Sequence, residues 1–437
     1  MTATAPFMSL LSKIVDNRGR TCPTADSGLP LIATNCVKNS TLYPVFEKVR
    51  YIDQHTYSTW FRGHPLPGDL IFVCKGSPGQ VCVTPDPVNF CIAQDMVAVR
   101  ANPAKVYPPY LFAALRSEEV QSAIVNMHVG TLIPHFKKGD FDKLEIPLPD
   151  EPTQRFTGDM YLSLTEKIEL NQRMNETLEG MAQAIFRDWF VDFGPTRRKA
   201  AGEADPVAIM GGLPPDPARA AELAALFPAA FGDNGLPLGW KQLRLSDIAI
   251  QRKGSVNPQG QPEATFEHYS LPAFDKGQEP SIDAGSTIKS NKNPVPAGAI
   301  LLSKLNPEIL RVWVPNANSG LTQIASTEFL VFVPKAGASR SLLFALFRDP
   351  DFRTLMRGMV TGTSKSHQRI SPPALLAQEV IAADPKLFPT FEELVGVMLE
   401  RLLANRAESK TLAETRDYLL PRLMSGAVRV APKVEAA

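Results

Sequence analysis

Apolar and polar positions along this chain change period, and then the change repeats. Up to about residue 150 the apolar residues come in short runs punctuated by Gly and Pro, as in Asp69-Leu70-Ile71-Phe72-Val73 and Met96-Val97-Ala98-Val99. Such runs predict strands. One helix is expected at Pro109 to Met127, around Leu111-Phe112-Ala113-Ala114-Leu115. From Thr153 to about Phe190 the period lengthens. Leu164, Ile168, Asn171, Asn175, Leu178, Ala182, Ile185 and Trp189 follow one another at steps of 4 and 3, a heptad seam. Farther on, Ala299-Ile300-Leu301-Leu302 and Phe329-Leu330-Val331-Phe332-Val333 again predict strands. Ser341 to Met359 predicts a helix that Pro350 divides in two. Met398, Leu402, Asn405, Ser409, Leu412, Arg416, Leu419 and Leu423 then resume the seam at an offset of 234.

Sequence identities carry the same repeat. Leu111-Phe112-Ala113-Ala114-Leu115-Arg116 recurs as Leu343-Phe344-Ala345-Leu346-Phe347-Arg348, Gly130-Thr131 as Gly362-Thr363, and His135 as His367. A solenoid repeats every 20–50 residues or so, so this much longer period means two domains of one kind. The expected fold class is α/β (α+β), two homologous globular domains each followed by a long helix. The divisions are 1–150 for the first domain, 151–193 for a helical spacer, 194–235 for an irregular connection rich in Pro, Gly and Ala, 236–383 for the second domain and 384–430 for a second spacer. Leu164, Ile168, Asn171, Leu178 and Ile185 in one seam correspond to Met398, Leu402, Asn405, Leu412 and Leu419 in the other. A buried Asn costs stability but fixes register, so Asn171 and Asn405 point to two helices that pair with each other. The plainer alternative packs each helix on its own domain. A helix of about 36 residues is about 54 Å long, against roughly 34–36 Å for a turn of DNA.

Composition narrows the class. A length of 437 residues with 44% hydrophobic and 21% charged content fits a soluble globular protein of two or three domains. No apolar run approaches the roughly 20 residues of a membrane span, and Met1 to Leu11 lacks the basic start of a signal peptide. Cys22, Cys36, Cys74, Cys82 and Cys91 all fall in the first copy without a CxxC pair, which points to free thiols and a cytoplasmic location. Net charge is +1, but residues 236–383 hold 16 Lys and Arg against 11 Asp and Glu, whereas residues 1–150 hold 14 against 13. Local clustering, not the total, decides affinity for phosphates.

Phosphate-loop, dinucleotide, zinc-protease and nucleophile-elbow motifs are all missing from the sequence. Tyr107-Pro108-Pro109-Tyr110 superficially matches an amino-methyltransferase motif, but Tyr107 has no side-chain carbonyl to accept from a target amine. The six histidines, His128 and His135 among them, have no metal-ligand spacing. No catalytic, cofactor or metal residue is therefore expected. Two polar loops at matching places remain. Gly130-Thr131-Leu132-Ile133-Pro134-His135-Phe136-Lys137-Lys138-Gly139 matches Gly362-Thr363-Ser364-Lys365-Ser366-His367-Gln368-Arg369, and Lys75-Gly76-Ser77-Pro78-Gly79 matches Lys304-Leu305-Asn306-Pro307. Lys and loop amides suit phosphates, while Arg, Gln, Asn and His read base edges. The DNA-contact candidates are Lys75, Ser77, Thr131, His135, Lys137 and Lys138 in the first copy. In the second they are Arg252, Lys253, Lys304, Asn306, Thr363, Lys365, His367, Gln368 and Arg369. The plain alternative for each loop is a solvated turn. For the whole chain it is a protein–protein scaffold with a helical docking seam.

Three residue sets resemble the specificity subunit of type I restriction-modification systems. Gly68-Asp69-Leu70-Ile71-Phe72 with Lys75-Gly76-Ser77-Pro78-Gly79 is similar to the strand and turn of that family's target recognition domains. Leu236-Pro237-Leu238-Gly239-Trp240-Lys241, with Leu243, Leu245, Asp247 and Ile248, is similar to the start of such a domain; the first copy opens instead with Met8-Ser9-Leu10-Leu11. Leu170-Asn171-Gln172-Arg173-Met174-Asn175-Glu176-Thr177-Leu178, on through Ile185 to Phe193, is similar to the family's central helices. The resemblance implies two target recognition domains, each reading one half of a bipartite, asymmetric site in double-stranded DNA. It implies helices paired as an antiparallel coiled-coil spacer with pseudo-twofold symmetry, which set the gap and dock two modification subunits. S-adenosylmethionine, ATP and Mg belong to partner subunits, restriction subunits included where present. This chain would bind no cofactor and catalyse nothing.

Overall fold

Strands that are apolar at every position need cover on both faces, and the two halves of this chain provide it in the same way. A computed structural model describes residues 3–17, 21–127, 133–316, 319–335, 337–360 and 368–428. The chain forms two compact units: residues up to Arg173 together with those from Asn405 onward, and Met174–Ala404.

The strands of the first unit are β1 (Thr4–Pro6), β2 (Leu11–Asp16), β3 (Leu29–Ile32), β4 (Arg50–Ile52), β5 (Leu70–Val73), β6 (Val81–Val83), β7 (Cys91–Ile92), β8 (Met96–Ala101) and β9 (Glu145–Pro147). The central sheet has the order β2-β8-β5-β6, antiparallel throughout. A second sheet is β4-β3-β7, with β3 and β7 parallel, and β1 pairs with β9. In the second unit follow β10 (Lys241–Arg244), β11 (Ala249–Arg252), β12 (Thr265–Tyr269), β13 (Ser281–Ala284), β14 (Asn293–Pro294), β15 (Ile300–Ser303), β16 (Val312–Trp313), β17 (Thr322–Ala325), β18 (Phe329–Pro334) and β19 (Glu379–Ala383). The orders β11-β18-β15-β16, β13-β12-β17-β14 and β10-β19 reproduce the first unit, with one extra edge strand, β14, and the same parallel step between β12 and β17. The two copies therefore share a topology.

Alternation along the central strands explains the layering. Leu70 and Phe72 join Val97 and Val99 under the helices Pro108–Arg116 and Glu118–Met127, whereas Ile71 and Val73 join Ile32 and Ile92 of the second sheet. In the second unit Ile300, Leu302, Leu330 and Phe332 face the helices Arg340–Arg348 and Pro350–Gly358, while Leu301 and Val331 face Trp313 and Tyr269. The expected single helix of 109–127 is two. Ser117 bonds the Ala114 carbonyl through its hydroxyl at 2.7 Å and caps the next helix, a break that Asp349 and Pro350 make in the second copy. The first copy lacks the Leu-Pro-x-Gly-Trp-Lys opening, yet β1 pairs with β9 just as β10 pairs with β19.

The long helices run Glu151–Phe190 and Phe388–Met424. In the first unit Tyr161 lies 5.3 Å beneath the guanidinium of Arg416, Lys167 pairs with Glu408 at 3.3 Å and Asn171 meets Asn405, so the two helices run antiparallel. In the second unit Phe186, Trp189 and Phe190 pack on Phe388 and Phe391 in the same sense. The expected seam is rotated slightly in places. Leu164, Met398 and Leu419 are half-buried, and their neighbours Thr165, Leu399 and Leu420 take the buried positions. Ile168, Asn171, Ile185, Leu402 and Asn405 are buried as expected, and Leu178 and Leu412 are half-buried. Gly158 permits close packing, since a Cβ there would stand 2.5 Å from the Tyr110 amide nitrogen.

Residues 194–235, expected to be irregular, instead hold the helices Gly194–Ala200, Pro206–Ile209 and Pro217–Ala225. Asp205 and Asp216 cap the second and third, and the Pro after each occupies the first helical position, where its fixed φ favours the helix. Ile209, Met210, Leu223 and Phe227 are buried with Trp189, Phe190 and Trp240, so this segment is part of the second unit's core.

Candidate nucleic-acid interface

In the first unit the chain leaves β5 at Cys74 and reverses through Lys75–Gln80 into β6. Gly76 and Gly79 both turn at positive φ, 88° and 89°. A second loop is strapped onto this turn. The Gly76 amide donates to the Pro134 carbonyl at 2.9 Å, the Phe136 amide donates to the Cys74 carbonyl at 2.8 Å, and Lys75 bridges His135. Phe136 is the anchor: it is fully buried, stacked on Phe141 at 5.6 Å and tilted on Phe72 at 6.0 Å. Burying that one ring leaves Lys75, Ser77, Lys137 and Lys138 exposed around it and His135 half-buried. Lys138 reaches Asp16 at the end of β2, whereas Lys75 and Lys137 have no carboxylate partner among the described residues. Thr131 lies outside the described residues.

The second unit repeats the strap. Lys304 leaves β15, the Asn306 amide donates to the Gln368 carbonyl at 2.9 Å, the Ile370 amide donates to the Lys304 carbonyl at 3.1 Å, and Leu305 bridges Arg369. Buried Ile370 stands where Phe136 does, and Asn306, at φ 48°, stands where Gly76 does. These bonds correct the approximate pairing expected from recurring Lys and His residues. Lys304 is the counterpart of Cys74 and not of Lys75, and Arg369 is the counterpart of His135. The strap is registered by its apolar anchor, and the chain between Lys304 and Ile370 is four residues longer than that between Cys74 and Phe136. Arg369 forks onto Glu328 at 2.9 and 3.1 Å, Gln368 is half-buried, and the Asn306 side-chain oxygen is buried without a partner. Thr363, Lys365 and His367 lie outside the described residues.

Arg252 and Lys253 are set on the neighbouring strand end. Arg252 pairs with Val331, so β11 runs out toward the Phe329 end of β18, beside Glu328 and Lys304. A turn of residues 289–292 is tied to the same rim: Val256 and Lys292 exchange backbone bonds of 2.9 and 3.0 Å, and Asn293 donates to the Phe329 carbonyl at 3.0 Å. Exposed Lys289 thus joins the candidates although sequence reasoning missed it, and Lys292 braces the turn from beneath. The available signal was a Lys-Ser-Asn-Lys turn without an acid. Lys292 is 9% exposed, donates to the Ser290 carbonyl and hydroxyl at 2.9 and 2.7 Å, and burial lowers its pKa. Arg252 and Lys253 also border a groove of about 1030 Å³ shared with Thr322, Gln323 and Arg340. The Tyr107-Pro108-Pro109-Tyr110 stretch is structural: Tyr107 donates to Asp159 at 2.7 Å, and Tyr110 donates to the Pro147 carbonyl at 2.6 Å.

Each unit thus presents a strand-end turn and a strapped loop of basic and amide-bearing residues, on one scaffold but with different side chains. Residues 30–180 match the type I restriction modification DNA specificity domain. The chain is similar to type I restriction-modification specificity subunits along most of its length. It is 27% identical over 406 residues to the type I restriction enzyme HindI specificity subunit of Haemophilus influenzae, covering 83% of this chain and 86% of that relative. With the MjaIX specificity subunit of Methanocaldococcus jannaschii it shares 22% identity over 375 residues, covering 83% and 78%. The crystal structure of the type I system S subunit from M. genitalium superposes with a TM-score of 0.54 at 14% identity, over 97% of this chain and 96% of that one. The chain shares that fold.

Proposed function

We propose that this chain is the specificity subunit, the DNA-recognition component, of a type I restriction-modification complex, with one half of a bipartite, asymmetric site read by each unit. The observation that carries the reading is the duplicated strap. The same backbone bonds hold the same two loops at the same strand end in both units, while the outward residues differ: Lys75, His135 and Lys137 in one, Lys304, Gln368 and Arg369 in the other. A shared scaffold with divergent contacts suits two different short sequences. The paired helices would set the gap between half-sites and dock two modification subunits. Those subunits bring S-adenosylmethionine, and restriction subunits bring ATP and Mg. Chemistry on an adenine, extruded from the helix by the modification partner, then needs no reactive group from this chain. No helix of the described residues is long and apolar enough to cross a membrane.

Mapping methylated adenines in a genome that expresses this chain with its modification partner is the direct test. The expected result is one bipartite motif with a fixed gap, whose two halves change independently when one unit is exchanged. A continuous motif, or a motif indifferent to exchange of either unit, would contradict the reading.

A further inference from the structure

We propose that Asp16 and Glu328 are specificity-determining residues. Each holds a DNA-facing cation of its own unit against the sheet rim, so that Lys138 and Arg369 engage DNA only where the rest of the surface fits. The proposal rests on the DNA-recognition reading above and adds a restraint to it.

Two features of the geometry carry it. In each unit a carboxylate from the rim of the central sheet meets a cation from the strapped loop: Asp16, last residue of β2, with Lys138, and Glu328, just ahead of β18, with Arg369. The repeat did not hand down these pairs. In strand register Lys253 lies where Asp16 does, and Asp95 lies where Glu328 does, because Cys74 and Lys304 donate to the Asp95 and Glu328 carbonyls. The two units reached one arrangement with different residues. The fold does not need either pair, because the straps are already fixed by backbone bonds and by Phe136 and Ile370. Both cations are 45% exposed, and ion pairs so wet add little stability.

Such pairs do act on partner choice. A free Lys or Arg at a groove accepts any phosphate, and phosphate contacts carry no sequence information. A carboxylate facing the same cation competes with phosphate and repels a backbone that approaches without compensating base contacts. Discrimination is a difference of affinities, and a penalty on the wrong partner raises it as surely as a gain on the right one. The Arg369 fork presents to Glu328 the same two-donor edge it would offer a guanine.

The test uses the full chain with its modification partner, the mapped target duplex and a random-sequence duplex of equal length. Asp16→Asn and Glu328→Gln should each tighten binding to the random duplex by roughly threefold to tenfold, while target binding gains less, so the specificity ratio falls. Glu308→Gln, which breaks an exposed pair with Arg357 at 3.1 Å near the same turn, should leave the ratio unchanged. In an Arg369→Gln background the gain from Glu328→Gln should largely vanish. An equal gain in both backgrounds would reduce the effect to general charge removal and overturn the proposal. Unchanged random-duplex binding would overturn it too, and so would lost target binding without that gain, which would make the carboxylate a base contact. A parent chain that binds no duplex would defeat the recognition reading itself, whereas normal parent binding with unaltered variants defeats only the restraint. Matching thermal midpoints for parent and variants establish that the readings come from folded protein.

Discussion

Arg116 is only 9% exposed, and its guanidinium donates to the carbonyls of Val81, Lys38 and Thr41 while covering the Phe112 ring at 4.3 Å. Arg348, its match in the repeat, instead pairs with Glu179 at 2.6 Å over the Phe344 ring. Next to Val81 lies Cys82, fully buried, whose thiol burial pushes up to about 12 although the Arg116 cation works the other way. The sign of the consequence follows from proton counting. Between the ordinary thiol value and about 12 the unfolded chain has released this proton and the folded chain still holds it, so stability falls as pH rises through that window. Cys74 and Cys91 are pushed to about 12 as well, again chiefly by burial. The thermal midpoint should therefore drop steadily from pH 9 to pH 12. Cys82→Ala should start lower for its cavity and drop less steeply; equal slopes would show that the thiol titrates freely. Residue-scale legibility was mixed for the same reason that Arg116 and Arg348 differ. A recurring letter marks a recurring place, but its partners come from the fold. His135 looked matched to His367 until the buried side chains of Phe136 and Ile370 showed Arg369 opposite it. Lys289 had no counterpart in the first copy to draw attention to it.

The Asn171 side chain is a costly element of the helix pair. It is fully buried, and its amide nitrogen is shared among the Asn405 carbonyl at 3.4 Å, Glu408 at 2.9 Å and the Ser409 hydroxyl at 3.3 Å. Its side-chain oxygen is buried without a partner. An unsatisfied buried acceptor costs about 1–3 kcal/mol, and such a polar site is retained for register more than for stability. Asn171→Leu should therefore raise stability by about 1 kcal/mol, read as a higher urea midpoint by far-UV circular dichroism. Loss of stability would show that Glu408 and Ser409 depend on the amide. The helix pair was legible because a heptad pattern is itself the packing requirement. The reading of 153 to about 190 needed only two residues at its start to become Glu151–Phe190. The strands were legible because apolar runs between Gly and Pro have few other destinations. Residues 194–235 were misread because Pro counts as a breaker in composition but as a starter after a capping Asp, as at Asp205-Pro206 and Asp216-Pro217. The helix break at Ser117 is equally local, a single hydroxyl cap among strong helix formers.

A net charge of +1 cannot draw DNA to the molecule as a whole, so affinity has to come from cations that nothing else neutralises. Among the described residues, Lys75 and Lys137 in one unit and Lys253, Lys289 and Lys304 in the other have no carboxylate partner. Each such lysine that meets a phosphate contributes about 0.9 to the slope of log affinity against log salt. Lys75→Ala and Lys304→Ala should each lower that slope by about 1 and weaken target and random duplexes alike. The two lysines belong to different units and share no partner, so the loss in the double variant should equal the sum of the single losses within about 0.5 kcal/mol. Gln368→Ala removes no charge; it should keep the slope and relax preference at one half-site while the other half is read as before. The combination is demanding, because a scaffold that binds proteins through its helices has no reason to divide its salt dependence and its sequence preference between two separate loop pairs. Strong non-additivity, or a Gln368→Ala variant that loosens both half-sites, would mean that the duplicated units do not grip DNA independently.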